Sequence, residues 1–327
     1  YVNPNITNVV QDRGGEKSLA AGFRNCVVAS PGCRLLEVDF SSSESVDTGW
    51  CALDPVFIRL AKLGVHAALA SHILKRPYNP GWSDTDLAAY FKSIKKAPEG
   101  SPEAVTYNRS KRFIHGFSYG LSIRGMVLQF PEIFPTMKVA EQYADLFRSL
   151  APKIPAWQTH QRELAFRQHY LGGPGAHPFG YKHWFWSVYT YKRISSGQYW
   201  TILKKHKDEA AAPLAIINGQ HFRVMHGEDA KRCIAFMPQS ITAGKLKDVM
   251  LRLFDPEAPS YIGDAYYGKT PLRAPIHDSL LLEVPDQKFD WVASLVLSEM
   301  QKPFREMPCP EAWGLGPYLS TGVSAKA

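Results

Sequence analysis

Two aspartates stand where apolar strands give way to polar residues. Asp39 falls at the end of the run 34–40 (RLLEVDF), and Asp278 follows His277 at the turn of 275–284 (PIHDSLLLEV). A carboxylate at a strand end is held rigid and still faces a cleft. Carboxylates from two separate backbone segments are what a two-metal phosphoryl-transfer site requires, with two divalent ions held roughly 3.5–4 Å apart. One ion activates an attacking hydroxyl and the other clamps the leaving phosphates. Taken alone, each Asp is explained more simply as a turn residue, since Asp is common there.

A third segment, 108–120 (NRSKRFIHGFSYG), carries Lys111, His115 and Tyr119 at a spacing of four residues. On a helix these lie along one stripe. The stripe offers a cation for phosphates, a ring for a base or sugar, and a phenol. Gly116 and Gly120 leave room for a second chain or a base to come close. The simpler alternative is an amphipathic helix with a solvated basic face.

The elements that must position these groups are legible from periodicity. Residues 34–40 form a buried strand and 275–284 a β-hairpin with 277–278 at its turn. Positions 54–74 predict one helix, with Val56, Leu60, Leu63 and Ala67 at helical spacing, ended by 77–80 (PYNP). Further helices are predicted over 102–116, with Pro at its start, and over 139–150, 156–170, 233–254 and 290–300. A Gly/Pro loop occupies 172–180. The aromatic residues after it (Tyr181, Trp184, Phe185, Trp186, Tyr189, Tyr191) alternate as strands of a hairpin would. Strands near both ends and helices between them predict an α+β sheet domain with a long helical insertion.

The 327 residues suffice for one large or two modest domains. No apolar run approaches the roughly 20 residues of a membrane span, and the first residues lack the pattern of a signal peptide. The formal net charge of +8 suits a polyanionic partner. The five cysteines (26, 33, 51, 233 and 309) form no CxxC pair. They therefore predict reduced, mostly buried thiols and neither a disulfide framework nor a zinc site.

The three segments together resemble the motifs of family-A DNA polymerases. Residues 39–44 (DFSSSE) resemble motif A, 111–120 (KRFIHGFSYG) motif B in its phage form, and 276–279 (IHDS) motif C. They occur in the family's order and at about its separations. Weaker similarities lie at 4–8 (PNITN), 64–66 (GVH), 178–180 (PFG) and 237–240 (MPQS), so the resemblance spans nearly the whole chain. It implies a right-hand polymerase fold. The palm, with an antiparallel sheet, would come from 1–45 and 231–327, and mainly helical fingers from 46–230. The thumb and exonuclease would lie outside this chain.

The resemblance also implies roles. Asp39 and Asp278, with the carbonyl of Phe40, would bind two Mg2+ ions, Mn2+ being an alternative. Lys111 and His66 would contact the triphosphate, and Tyr119 would pack beside the incoming sugar and template base. Glu44 would exclude a 2′-hydroxyl, His115 would face the nucleotide, and Gln239 and His277 would hold the primer end. The implied partners are primer-template DNA and deoxynucleoside triphosphates, with an N-terminal thumb or exonuclease fragment or a processivity factor as a further candidate. The implied setting is DNA replication in the cytoplasm of a bacterial or phage-infected cell, or in an organelle, with no membrane partner.

The chain departs from the family where Tyr107 replaces an Arg, Arg109 being near but on another helical face, and where His115 replaces Phe or Tyr. The Thr-Gly-Arg stretch expected before residue 4 is also missing. The rivals are a single-subunit RNA polymerase, against which Glu44 argues, and an inactive nucleic-acid-binding relic, against which Asp39, Lys111, Tyr119 and Asp278 argue.

Overall fold

The computed structural model describes residues 27–206 and 212–326. The 4–8 segment and Cys26 lie outside them. The chain divides into two compact units, Tyr1–Glu44 with Ile241–Ala327, and Ser45–Ser240.

The first unit is built on a four-stranded antiparallel sheet in the order Gly322–Lys326, Cys33–Ser41, Ser279–Pro285, Leu272–Ile276. Cys33–Ser41 has a hydrogen-bonded neighbour on each side. Its side chains alternate, with Leu36, Val38 and Phe40 buried and Glu37, Asp39 and Ser41 on the opposite, partly open face. The next strand joins its hairpin partner through His277 and Asp278 alone, with Ile276 opposite Ser279. The Phe289–Gln301 helix covers the sheet, burying Val292, Val296 and Met300. Its buried Glu299 accepts from Arg252 at 3.3 Å and is also paired with Lys302 and Ser260. Buried carboxylates survive only with such partners.

The second unit is mainly helical. The stretch read as one helix over 54–74 is two, Pro55–Leu63 and Val65–Ile73, bent by 92°. Gly64 makes the break. Its φ of 134° is a left-handed conformation, and a Cβ there would stand 3.3 Å from Phe91 Cβ. Of the residues at that spacing Leu60 and Ala67 are buried and Leu63 partly so, but Val56 is exposed; the first helix buries Phe57, Ile58, Leu60 and Ala61. No single helix among the described residues is long and apolar enough to cross a membrane.

The aromatic run after the Gly/Pro loop does not form one hairpin. Lys182–Trp184 pairs with Tyr170–Gly172, whereas Tyr189–Arg193 pairs with Gln220–His226 in a separate three-stranded sheet. Gln220–His226 also pairs with Leu214–Ile217 through a turn at Asn218 and Gly219, both with positive φ. Cys33, Cys233 and Cys309 are buried, and neither these nor Cys51 is in a disulfide.

Candidate active site

The carboxylate group belongs to the sheet unit. The ladder sets Asp39 opposite Ser279 on one side and Ser324 on the other. Ser324 Oγ donates to an Asp39 carboxylate oxygen. The amide of Phe40 donates to the carbonyl of Asp278 at 3.0 Å, so the hairpin turn is docked on the residue next to Asp39. Two segments far apart in sequence are thus joined where their acids emerge. Burial pushes the Asp278 carboxyl above its ordinary range, and the charge of Asp39 pushes it further. Its own backbone amide, His277 and Lys245 oppose the rise. Both segments carry a non-glycine residue in the left-handed region, Ser42 (φ 56°) and His277 (φ 54°). Such residues are uncommon and tend to gather at functional turns.

Behind this pair lies a residue that the sequence reading missed. Ile241, Lys245, Val249 and Leu253 recur every fourth residue in the Asp229–Phe254 helix, and all four are buried. Lys245 is wholly enclosed. Its Nζ donates to Ser43 Oγ at 2.6 Å and Thr321 Oγ1 at 2.8 Å, and lies 5.1 Å from the Phe40 ring centroid. Phe40 in turn packs edge-on against Phe304, with centroids 6.0 Å apart. The signal was a lysine on an otherwise apolar helical stripe. A buried ammonium is costly unless it is hydrogen-bonded, and these hydroxyls provide that.

Glu44 occupies the first turn of the Ser43–Cys51 helix, where a carboxylate suits the exposed backbone amides. His277 is exposed, Asp278 half-buried, and the Phe40 ring buried. Among the described residues no cluster of three or more His, Cys, Asp or Glu could hold a metal ion. The acidic contribution is a pair.

The basic group belongs to the helical unit. The helix Pro102–Ser118 starts at Ser101, whose hydroxyl accepts from the Ala104 amide at 3.2 Å, with Pro102 in the first turn. It buries Phe113 and Ile114, and Phe113 stacks on Phe117 at 5.1 Å. That packing turns Lys111 and His115 outward. Tyr119 caps the helix, and its ring meets His115 edge-on at 5.2 Å. Gln158 donates to the carbonyls of Phe117 and Ser118 at 2.9 and 3.0 Å, holding the helix end.

His66 stands on Val65–Ile73, with its ring edge-on to Tyr107 at 6.0 Å. Burial first, then Lys111, His115 and Lys95, lower its pKa to about 4. It is therefore neutral near pH 7, a hydrogen-bonding partner amid cations and not a cation itself. Lys95 is the member of this cluster that the sequence reading did not single out. His115 is also held below the ordinary imidazole value, by burial and then by Arg112 and Lys111.

One other expectation is corrected here. Gly116 and Gly120 admit the chain's own side chains and not an outside group. A Cβ at Gly116 would stand 2.7 Å from Met126 Cε, and one at Gly120 would stand 2.8 Å from Ile234 Cδ1. Arg109, near the position where Tyr107 replaces an Arg, lies beside Tyr143. Gln239 is exposed on the Asp229–Phe254 helix, and Phe179 follows the buried His177, whose Nδ1 accepts the Phe179 amide at 3.1 Å.

Among solved structures the chain is similar to the polymerase domain of Pol1 from M. smegmatis, described as a complex with DNA primer-template and dNTP. The TM-score is 0.58, the identity 17%, and the likeness covers 98% of this chain and 43% of that one. The fold is that of a polymerase domain. This chain thus spans less than half the length of that polymerase chain. No family model and no curated protein matches the sequence.

Proposed function

We propose that this chain is a family-A DNA polymerase that adds deoxynucleotides to a primer 3′ end by two-metal phosphoryl transfer. The observation that carries the proposal is the juxtaposition of Asp39 and Asp278 in a polymerase-like fold. The family-A assignment rests on the three motifs in order. In this reading the sheet unit is the palm and Ser45–Ser240 the fingers.

The donor chemistry fits the implied metals. Carboxylate oxygens of Asp39 and Asp278 and the carbonyl of Phe40 form a hard oxygen set, which suits Mg2+ or Mn2+. Burial first, and then the charge of Asp39, lift Asp278, and a bound divalent cation would offset both. Such ions, when bound, supply activation of the primer hydroxyl and neutralisation of the phosphates.

The chain's own residues provide positioning and charge. Asp39 is fixed by ladder pairing on both sides and by Ser324. Asp278 is fixed by the hairpin. Lys111 supplies a permanent cation for the triphosphate, and His66 a neutral ring nitrogen to hydrogen-bond to it. Tyr119 presents its phenol ring to the sugar and base, and His115 supports that ring edge-on. Glu44 would exclude a 2′-hydroxyl. Gln239 and His277 are contacts for the primer end. No protein nucleophile is required, as in other phosphoryl transfers that depend on positioning and electrostatics.

Extension of a labelled primer on a template, with Mg2+ and deoxynucleotides, tests the proposal. Extension should require metal and template and should vanish in Asp39→Asn. Robust extension by Asp39→Asn, or none by the wild-type chain across Mg2+ and Mn2+ concentrations, would sink it.

A further inference from the structure

The strand Lys182–Trp184 and the residues after it present an unusual surface of the helical unit. Successive side chains of an extended segment point to opposite sides. Phe185 points inward and is buried, packing edge-on against Phe236 with centroids 6.0 Å apart. Trp184 and Trp186 therefore point outward, with Trp186 73% exposed. Their rings are parallel within 4° and 5.8 Å apart between centroids. His169 continues the row, 5.4 Å from Trp186 and tilted by 23°. Tyr170 flanks Trp184 at 5.3 Å, and Lys182 Nζ lies 3.8 Å and 4.4 Å from the centroids of Tyr170 and Trp184.

The row is held from behind. Asp229 Oδ2 accepts the amides of Trp186 and Ser187 at 2.9 and 3.0 Å, and the His169 carbonyl accepts the Phe185 amide at 2.8 Å. An exposed tryptophan pair costs solubility and offers nothing to the core, so its rigid presentation needs an occupant. The stretch is also basic, with seven Lys and Arg against two Asp and Glu between positions 169 and 226. Parallel aromatic faces beside cations match unpaired nucleotides, whose bases stack on rings and whose phosphates seek positive charge.

We propose that His169, Tyr170, Lys182, Trp184 and Trp186 form a binding site for single-stranded nucleic acid. It is separate from the residues assigned to chemistry, and it goes beyond the polymerase reading without depending on it. The bases stack against the indoles, with little preference for sequence. Lys182 contacts a phosphate.

The test is fluorescence anisotropy with labelled oligothymidylate and oligouridylate of about twelve nucleotides, a length within the usual single-strand site sizes, without metal or nucleotide. Trp184→Ala and Trp186→Ala should each weaken binding roughly five- to fifteenfold, and Trp186→Tyr should restore most of the loss. Lys182→Met should reduce the slope of log affinity against log salt by about one. Affinity for blunt duplex should change less than about twofold. Comparison of the two oligonucleotides assigns the strand as DNA or RNA. Strand binding is read without metal or nucleotide and primer extension with both, so either proposal can fail while the other holds. Unchanged single-strand affinity in a folded Trp184→Ala/Trp186→Ala variant would overturn the site. So would an effect of the rings confined to self-association in sedimentation.

Discussion

The sheet unit and the helical unit deliver charge in opposite ways. Asp39 and Asp278 sit on short side chains whose places are fixed by backbone pairing, down to the Phe40 amide on the Asp278 carbonyl. Lys95, Lys111 and His115 sit on helix surfaces, on long or rotatable side chains around His66. A short acid gains precision from a ladder, where register leaves no freedom. A cation meeting a flexible polyphosphate needs only approximate placement, since Coulomb attraction varies slowly with distance. Strands carry the geometry here, and helices carry the field.

If that contrast holds, neutralising an acid should hurt far more than neutralising any one base. Asp39→Asn or Asp278→Asn should lower primer extension by about a hundred- to a thousandfold, the scale for loss of a preorganised charge contact. Lys111→Met should cost markedly less. An equal loss would break the comparison. The acid pair should also act on stability. Native Asp278 keeps its proton to higher pH than the unfolded chain does, so stability falls as pH rises through its raised pKa. Metal-free Asp278→Asn should therefore melt higher than wild type at pH 7, whereas Mg2+ should stabilise only the wild type. A lower melting temperature for metal-free Asp278→Asn would contradict the cost of burying this charge beside Asp39.

Glu44 tests whether the strand-to-helix junction is equally exact. Glu44→Ala should raise ribonucleotide incorporation relative to deoxynucleotide by roughly tenfold or more, as expected when one steric or polar contact decides specificity. An unmoved ratio in single-turnover competition would remove the gate.

Lys245 sharpens the comparison, being a base placed with the precision of the acids. We expect it to act as a positioning residue. Lys245→Met should raise the Mg2+ concentration for half-maximal extension by about tenfold, the effect of losing a supporting shell, with nucleotide KM little changed. Lys245→Arg should recover part of it. A loss of stability alone, with metal dependence intact, would make Lys245 only a core residue.

A change in stability and not in rate is expected in the helical unit. His66 is protonated less readily in the folded chain than in the unfolded chain, from about 4 against 6.5. The unfolded chain binds more protons in that window, so stability falls as pH drops from 6.5 towards 4 and is flat above it. His66→Gln should remove about 2 kcal/mol of this loss after allowance for solvent screening. Urea midpoints at pH 7 and pH 4.5 measure it. His177, also lowered to about 4, contributes equally to both proteins. The same acid sensitivity in His66→Gln would show that neither burial nor the neighbouring Lys111, His115 and Lys95 disfavour charge on that ring.

What could be read from the sequence followed the range of each signal. The Cys33–Ser41 strand and the hairpin at 277–278 were legible because alternation and a two-residue turn are local. The break at Gly64 was not, since both new helices keep an apolar face and the bend is decided by the packing of Phe91. The partners of Lys182–Trp184 and Tyr189–Arg193 lie elsewhere in the chain, and local alternation cannot choose between them. One local signal was overlooked. Asn218–Gly219 between apolar runs marks the hairpin it makes. In the candidate site, the turn at Asp278 could be read from the sequence, whereas the strand read as ending at Asp39 runs two residues further, to Ser41. Lys245 was hidden because its hydroxyl partners, Ser43 and Thr321, come from remote segments.

The central place of the Cys33–Ser41 strand gives the chain a parity rule. With a ladder on each side, that strand can change length only by sliding past both neighbours. Loss of one residue before Asp39 would invert every side chain after it, turning the carboxylate inward and Phe40 out to water. Loss of two would restore the faces but draw Asp39 back by about 7 Å from the Asp278 turn. An odd indel breaks the core and an even one breaks the alignment of the acids. Length variation in descendants of this sequence should therefore spare that strand altogether and collect in connections such as 172–180.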